Sequence, residues 1–224
     1  MKQEPATPPG APRRRAGRPR SVVLDRDLIA RAALKLVVAG GYSTLTMSSV
    51  AKSLGVSPSA LYNHVESKQE LMQWIQEIVM DGVDSSVFET LPLDEALAEW
   101  AVTYRDIFTG HAPLIPLIAV LPVSGSPRTQ EMYEKVAAGF SRSGWNQAEI
   151  VPAIVALESF IFGSALDATA PLDIFDPGEN AGRMPSFEGA LAAQRATGEH
   201  SADAAFHLGL RAIIAGLVAK AGKR

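Results

Sequence analysis

Residues 45–65 read LTMSSVAKSLGVSPSALYNHV, and two helix starts lie inside them. Thr46 stands as an N-cap before Val50, Ala51 and Leu54. Gly55 stops that first helix, and Ser57 caps a second with Pro58 in the favoured opening position. Two short helices joined by Gly55-Val56-Ser57 have the spacing of a helix-turn-helix. At about 100° per residue, Leu61 and Val65 mark the buried side of the second helix. Asn63 lies opposite them with Ser59 and Ala60 beside it, and Tyr62 and His64 form the flanks. Small side chains on the outer face let a helix backbone approach base edges in a DNA major groove, where Asn63 can pair bidentately with adenine. Tyr62, His64, Lys68 and the hydroxyls of Thr46 and Ser48 suit anchoring contacts, chiefly to phosphates, which position rather than specify.

Helical signals continue on both sides. Before the motif, Asp25 caps a stripe of Leu28, Ile29, Ala32, Ala33, Leu36 and Val37 that ends at Gly40-Gly41. After it, Ser67 and Glu70 form a capping box for a helix expected to run to about Glu89. Further helices are expected from Asp94 through Phe108, over Leu117–Leu121, from Ser126-Pro127 to Gly144, from Asn146 with Glu149 to about Ala170, weakly over 186–197, and from Ser201 to Ala221. Residues 111–116 should break the chain, and the Pro- and Gly-bearing stretch 171–185 should be a loop. No run alternates with strand period, so the fold class is all-α: a three-helix DNA-binding head, residues 21–68, followed by a larger helical domain, residues 69–224. Residues 1–20 carry five prolines and six Lys or Arg and read as a disordered basic arm.

Charge is divided along the chain. Residues 1–68 hold 11 Lys and Arg against 4 Asp and Glu, whereas the remaining residues hold 10 against 20, within a net charge of -3. A basic head on an acidic body suits an approach to a polyanion by one end only. The chain has no cysteine, which excludes disulfides, thiolate metal sites and a cysteine nucleophile. No apolar leader follows the polar N-terminus, and no stretch stands out as a membrane span, so a cytoplasmic protein with no membrane partner is expected. The four histidines, His64, His111, His200 and His207, flank no hydrolase elbow or metal motif. No enzyme, cofactor or metal site is expected, a hydrolase being the rival from that class.

Over residues 25–72 the sequence resembles the TetR family of bacterial transcriptional regulators. The pattern LT...VA..LGVS...LY.HV..K..L is present in full across residues 45–71. Carried across position by position, the resemblance implies DNA contacts from Met47, Ser48, Pro58, Ser59, Ala60, Tyr62, Asn63, His64 and Lys68. In the arm, Ala16-Gly17-Arg18-Pro19-Arg20 looks like an AT-hook core, in which Arg18 and Arg20 enter a narrow minor groove or bind phosphates without sequence preference. The looser resemblance beyond residue 92 rests on LESFIFGSALDA at 157–168 and FHLGLRAIIAGL at 206–217. It implies a homodimer made by these two helices and a cavity for a small hydrophobic or weakly polar organic effector. The expected lining is Trp100, Tyr104, Phe108, His111, Phe160, Phe162 and Asp167. The histidine with which the drug-sensing member of the family holds a magnesium chelate falls here at Leu117 or Ile118, so no metal is expected with the effector. A repressor released from double-stranded operator DNA by its effector is the function implied, the alternative being a DNA-binding regulator controlled by a protein partner.

Overall fold

The computed structural model describes residues 23–221, and the arm with Arg18 and Arg20 lies outside them. Among the described residues there are helices and turns and no strand. The head is built from α1 (Arg26–Gly40), α2 (Met47–Leu54) and α3 (Pro58–Tyr62). Its helix starts are chemically explicit. The Leu28 N–H donates to the Asp25 carboxylate at 2.8 Å. Thr46 and Ser49 exchange backbone and hydroxyl hydrogen bonds at 3.0 Å in both directions, closing a capping box. The Ala60 N–H donates to the Ser57 hydroxyl at 3.2 Å. Gly55, at φ 68°, takes the left-handed conformation that ends α2 and turns the chain into α3.

Helix α4 (Lys68–Met80) leaves the head and enters the body. Ser67 caps it as expected, but the Glu70 carboxylate accepts from the Glu66 N–H at 2.7 Å, one residue earlier than in a standard box. The helix stops at Met80 rather than near Glu89. Asp84 accepts from both the backbone N–H and the hydroxyl of Ser86, making a turn that competes with helix, and residues 87–90 restart as the short α5 (Val87–Thr90).

The body continues with α6 (Leu93–Thr109), α7 (Ile115–Ile118), α8 (Pro127–Arg142), α9 (Gln147–Asp167), α10 (Pro185–Ala196) and α11 (Ser201–Ala221). Three expected starts differ. Asp94 lies inside the first turn of α6 rather than capping it. Pro116, expected to break structure, sits in the first turn of α7, where its missing N–H has no partner to lose. Ser126 does not cap α8; its hydroxyl is turned to the Glu77 carboxylate on α4, to which it donates, and to the Thr129 hydroxyl. Asn146 does cap α9, through the Ala148 N–H at 3.1 Å, while Glu149 pairs with Lys220 of α11 at 2.9 Å.

One apolar core runs from Ile29 and Leu61 in the head, through Leu71, Trp74 and Ile75 of α4, to Trp100, Phe108, Phe140 and Leu157 in the body. Helices α9 and α11 are long and apolar enough to cross a membrane by length and composition alone, a property the sequence reading did not assign to any stretch. Helix α9 lies against α6, α8 and α11, and α11 lies against α6 and α9 with most of its surface exposed.

Helices α5 and α8 pack closely. A Cβ on Gly139 would stand 2.7 Å from the Phe88 ring, and Phe88 is itself buried edge-on against Trp100. Gly139→Ala is therefore expected to cost about 1–3 kcal/mol by overpacking, read as a lower urea midpoint with an unchanged m-value. An unchanged midpoint would show that the ring can retreat freely.

Candidate nucleic-acid interface and effector cavity

The outer surface of the head gathers the residues singled out in the sequence. Thr46, Ser48, Pro58, Ser59, Tyr62, Asn63 and His64 are exposed, while Met47, Ala60 and Lys68 are half-buried. Leu61 and Val65 are fully buried beneath them, so the two sides of this segment are chemically opposite. Helix α3 is shorter than expected and ends at Tyr62. Asn63 occupies its C-terminal cap, and the Leu61 carbonyl accepts from His64 and Val65 at 2.9 and 3.2 Å. Asn63 and His64 therefore project from the last turn rather than from mid-helix. Tyr62 is 52% exposed.

Two placements qualify the anchoring residues. The Lys68 ammonium lies 3.6 Å from the centroid of the Tyr42 ring, a cation–π contact that holds it at the head surface. Tyr42 was missed in the sequence, where it stands outside the motif in the turn after α1. The Thr46 hydroxyl accepts the Ser49 N–H, so it contributes to helix capping while its proton remains to donate outward.

Inside the body, the expected effector residues separate into groups. Trp100, Tyr104, Phe108 and Phe162 form one aromatic cluster, with ring centroids 5.4 Å apart for Trp100–Tyr104, 5.2 Å for Tyr104–Phe108 and 5.0 Å for Phe108–Phe162. Phe160 points elsewhere and stacks on Phe206 of α11 at 5.7 Å. His111 sits beyond the end of α6, its Nδ1 2.8 Å from the Ile107 carbonyl. Asp167 is exposed at the end of α9 and borders an open groove of about 320 Å³ formed with residues 170–175 and the start of α11.

Behind Tyr104 and Phe162 lies a small cavity of about 60 Å³, also lined by Gln76, Ile118, Ala119, Leu121, Val123, Thr129, Tyr133 and Glu158. Glu158 is 8% exposed. It accepts from the Tyr104 hydroxyl at 3.1 Å and from the Tyr133 hydroxyl at 2.9 and 3.0 Å. Burial pushes the Glu158 carboxyl upward, and the hydrogen bonds from Tyr133 and Tyr104 pull the other way. Burial also drives both phenols upward, so they stay protonated donors. The neighbouring Gln76 is 2% exposed, and its Oε1 has no hydrogen-bond partner.

Glu158 was missed although it lies inside the quoted segment 157–168. Its signal was a lone carboxylate among Ile154, Leu157, Ile161 and Phe162 on an otherwise apolar helix. Among the described residues no group of three His, Asp or Glu side chains is disposed to hold a metal ion.

The family model for "Bacterial regulatory proteins, tetR family" matches residues 29–75, and that for "Tetracyclin repressor-like, C-terminal domain" matches residues 91–221. The class E tetracycline repressor protein of Escherichia coli is 27% identical over 199 residues, 88% of this chain and 92% of its own length. Among solved structures, apo ActR of Streptomyces coelicolor superposes with a TM-score of 0.74 at 26% identity, covering 89% of this chain and 97% of ActR. ActR in complex with (S)-DNPA gives 0.72, also at 26% identity, over 88% and 98% of the two chains.

The head surface makes two residues separable by experiment. Asn63→Ala is expected to cost about 1–3 kcal/mol on the preferred DNA sequence and little on random duplex. Lys68→Ala is expected to weaken both duplexes alike and lower the slope of log affinity against log salt by about one. Fluorescence anisotropy over a salt series distinguishes them, and an equal loss on both duplexes for Asn63→Ala would assign Asn63 to the backbone.

Proposed function

Because this chain belongs to the TetR family of bacterial regulatory proteins, we propose that it is a homodimeric transcriptional repressor, released from operator DNA by a small, largely apolar organic effector bound in the body. The observation that carries the reading is the course of α4. It starts beside the proposed reading helix at Lys68 and, two to three turns later, presents Gln76 to the cavity. A single rigid element thus touches both sites.

The link from cavity to head is polar and specific. Glu77, next to Gln76, accepts from the Ser126 hydroxyl and from the Arg128 N–H, the latter at 3.0 Å. Arg128 also forms an ion pair with Asp81 at the end of α4. Ser126 in turn bonds Thr129 at 2.6 Å, and Thr129 lines the cavity. An effector that displaces Thr129 or Gln76 would move α4 against the start of α8, and α4 packs directly on α1 of the head. Release follows only if the effector binds the displaced arrangement better than the operator-bound one. Ser59, Ala60 and Asn63 are the proposed base readers. Thr46, Ser48, Tyr62, His64 and Lys68 are the proposed anchors, with Met47 and Pro58 at the same surface. Repressor action is inferred from the relative's name, and the place of work of such a regulator is the cytoplasm.

Dimerisation is proposed through α9 and α11. Leu208 is 66% exposed, and Val151, Val155, Leu166 and Val218 are also open. Between them stand small exposed residues, Ala156, Gly163, Ala212, Ala215 and Gly216, which allow two helices to approach closely. An apolar face of this kind on a water-facing helix calls for a covering surface, and a second copy supplies the two-fold partner that paired DNA heads require.

Selection of bound duplexes from a random pool is expected to return an inverted repeat whose half-sites lie roughly 34 Å apart or a multiple of a helical turn. A single unpaired half-site would contradict the dimer. Leu208→Glu is expected to yield a monomer in analytical ultracentrifugation and to lose operator affinity by more than ten-fold. A dimer that persists in this variant would place the interface elsewhere.

A further inference from the structure

The cavity behind Tyr104 has an unbalanced donor and acceptor inventory. Among the described residues, the Glu158 carboxylate has two phenolic donors and no basic partner. No lysine, arginine or histidine is among the lining residues. The nearest arginine in sequence on α6, Arg105, is committed to Asp203 at 2.7 Å and stacks over Phe206. A buried carboxylate without a countercharge is costly to keep ionised, and the neighbouring Gln76 Oε1 is a second buried acceptor left unsatisfied. The side facing these acceptors is aromatic, formed by Tyr104 and Phe162.

We propose that the effector is an alkylamine carrying an aromatic ring, whose protonated nitrogen lies against the Glu158 carboxylate and the Gln76 Oε1 while its ring packs on Phe162 and Tyr104. The inference rests on the effector reading above and adds the chemistry of its polar end. A cation supplies the missing countercharge and the missing donor together. A neutral hydroxyl supplies only a donor, and a carboxylate would place two anions side by side. The space of about 60 Å³ fits the charged headgroup, whereas a drug-sized molecule needs roughly 300 Å³ or more. The remainder of the effector is accommodated by outward movement of the wall made by Ile118, Ala119, Leu121 and Val123. That wall is the segment joining α7 to α8, where Val120 is 78% exposed.

Three matched probes test the assignment on the full chain by ligand-observed NMR titration: naphthylmethylamine, naphthylmethanol and naphthoate. The amine is expected to bind at least ten-fold more tightly than the alcohol, and the acid not to bind. Glu158→Gln keeps the shape and the acceptor for both tyrosines. It is expected to abolish the amine's advantage while leaving alcohol binding and the melting temperature nearly unchanged. The comparison among probes on the wild-type chain stands even if that variant folds poorly. Alcohol or acid binding equal to that of the amine would overturn the donor assignment, as would an amine preference that survives in Glu158→Gln. Leu121→Trp, which narrows the cavity, separates the two levels. Probes that bind without charge preference but are lost in Leu121→Trp leave the cavity as an effector site and refute only its chemistry. Failure of all three probes to bind the wild-type chain counts against both.

Discussion

Everything in this molecule depends on one helix serving the head and the body at once. Leu71, Met72, Trp74, Ile75, Gln76, Val79 and Met80 of α4 are all buried, and the helix packs on α1 of the head and on α8 of the body. A helix with a single apolar stripe could cover only one of them, so α4 is buried on much more of its circumference than a surface helix. The head therefore has no independent floor. Its small core of Ile29, Ala33, Val37, Leu45, Val50 and Leu61 is completed by side chains that the body also holds in place. Any rotation of α4 demanded by the body is imposed on the head, because close-packed interiors transmit displacement rather than absorb it.

The polar contacts refine that mechanical link. Glu77 and Asp81 lie one turn apart on α4, and both are engaged by residues at the start of α8. The Ser126 hydroxyl that would otherwise cap α8 is diverted to Glu77, so the α8 start is tied to α4 rather than to its own backbone. This is a bond of register: it fixes where α8 sits along α4, while the apolar contacts fix how close the two helices lie.

Much of the architecture was legible in the sequence because its signals are local. The caps at Asp25, Thr46, Ser57 and Ser67 act over three residues, and each forms as the pattern implies. The boundaries that differed were decided by partners far along the chain or by competing local bonds. Ser126 answers to Glu77, and α4 ends where Asp84 captures Ser86. In the body, aromatic content picked out Trp100, Tyr104, Phe108 and Phe162 as effector-lining candidates; they do cluster, but of them only Tyr104 and Phe162 line the small cavity. It could not separate Phe160 from Phe162, which are two residues apart and face different helices. Glu158, Tyr133 and Gln76 sit on three different helices, and only the fold brings them to one cavity.

The proposed reading segment, residues 58–65, contains no lysine or arginine. Its side chains can discriminate base edges, but they exert no long-range pull on a polyanion. Attraction must come from cations set around it, such as Lys52 and Lys68, and from the arginines nearer the N-terminus. A duplex of any sequence would thus be held loosely by its phosphates while Ser59, Ala60 and Asn63 remain clear of the bases. Finding the right sequence then becomes a separate, short-range event. The protein could travel along DNA in the loose state and stop only where the neutral face fits, so its speed of search and its accuracy of recognition can be altered independently.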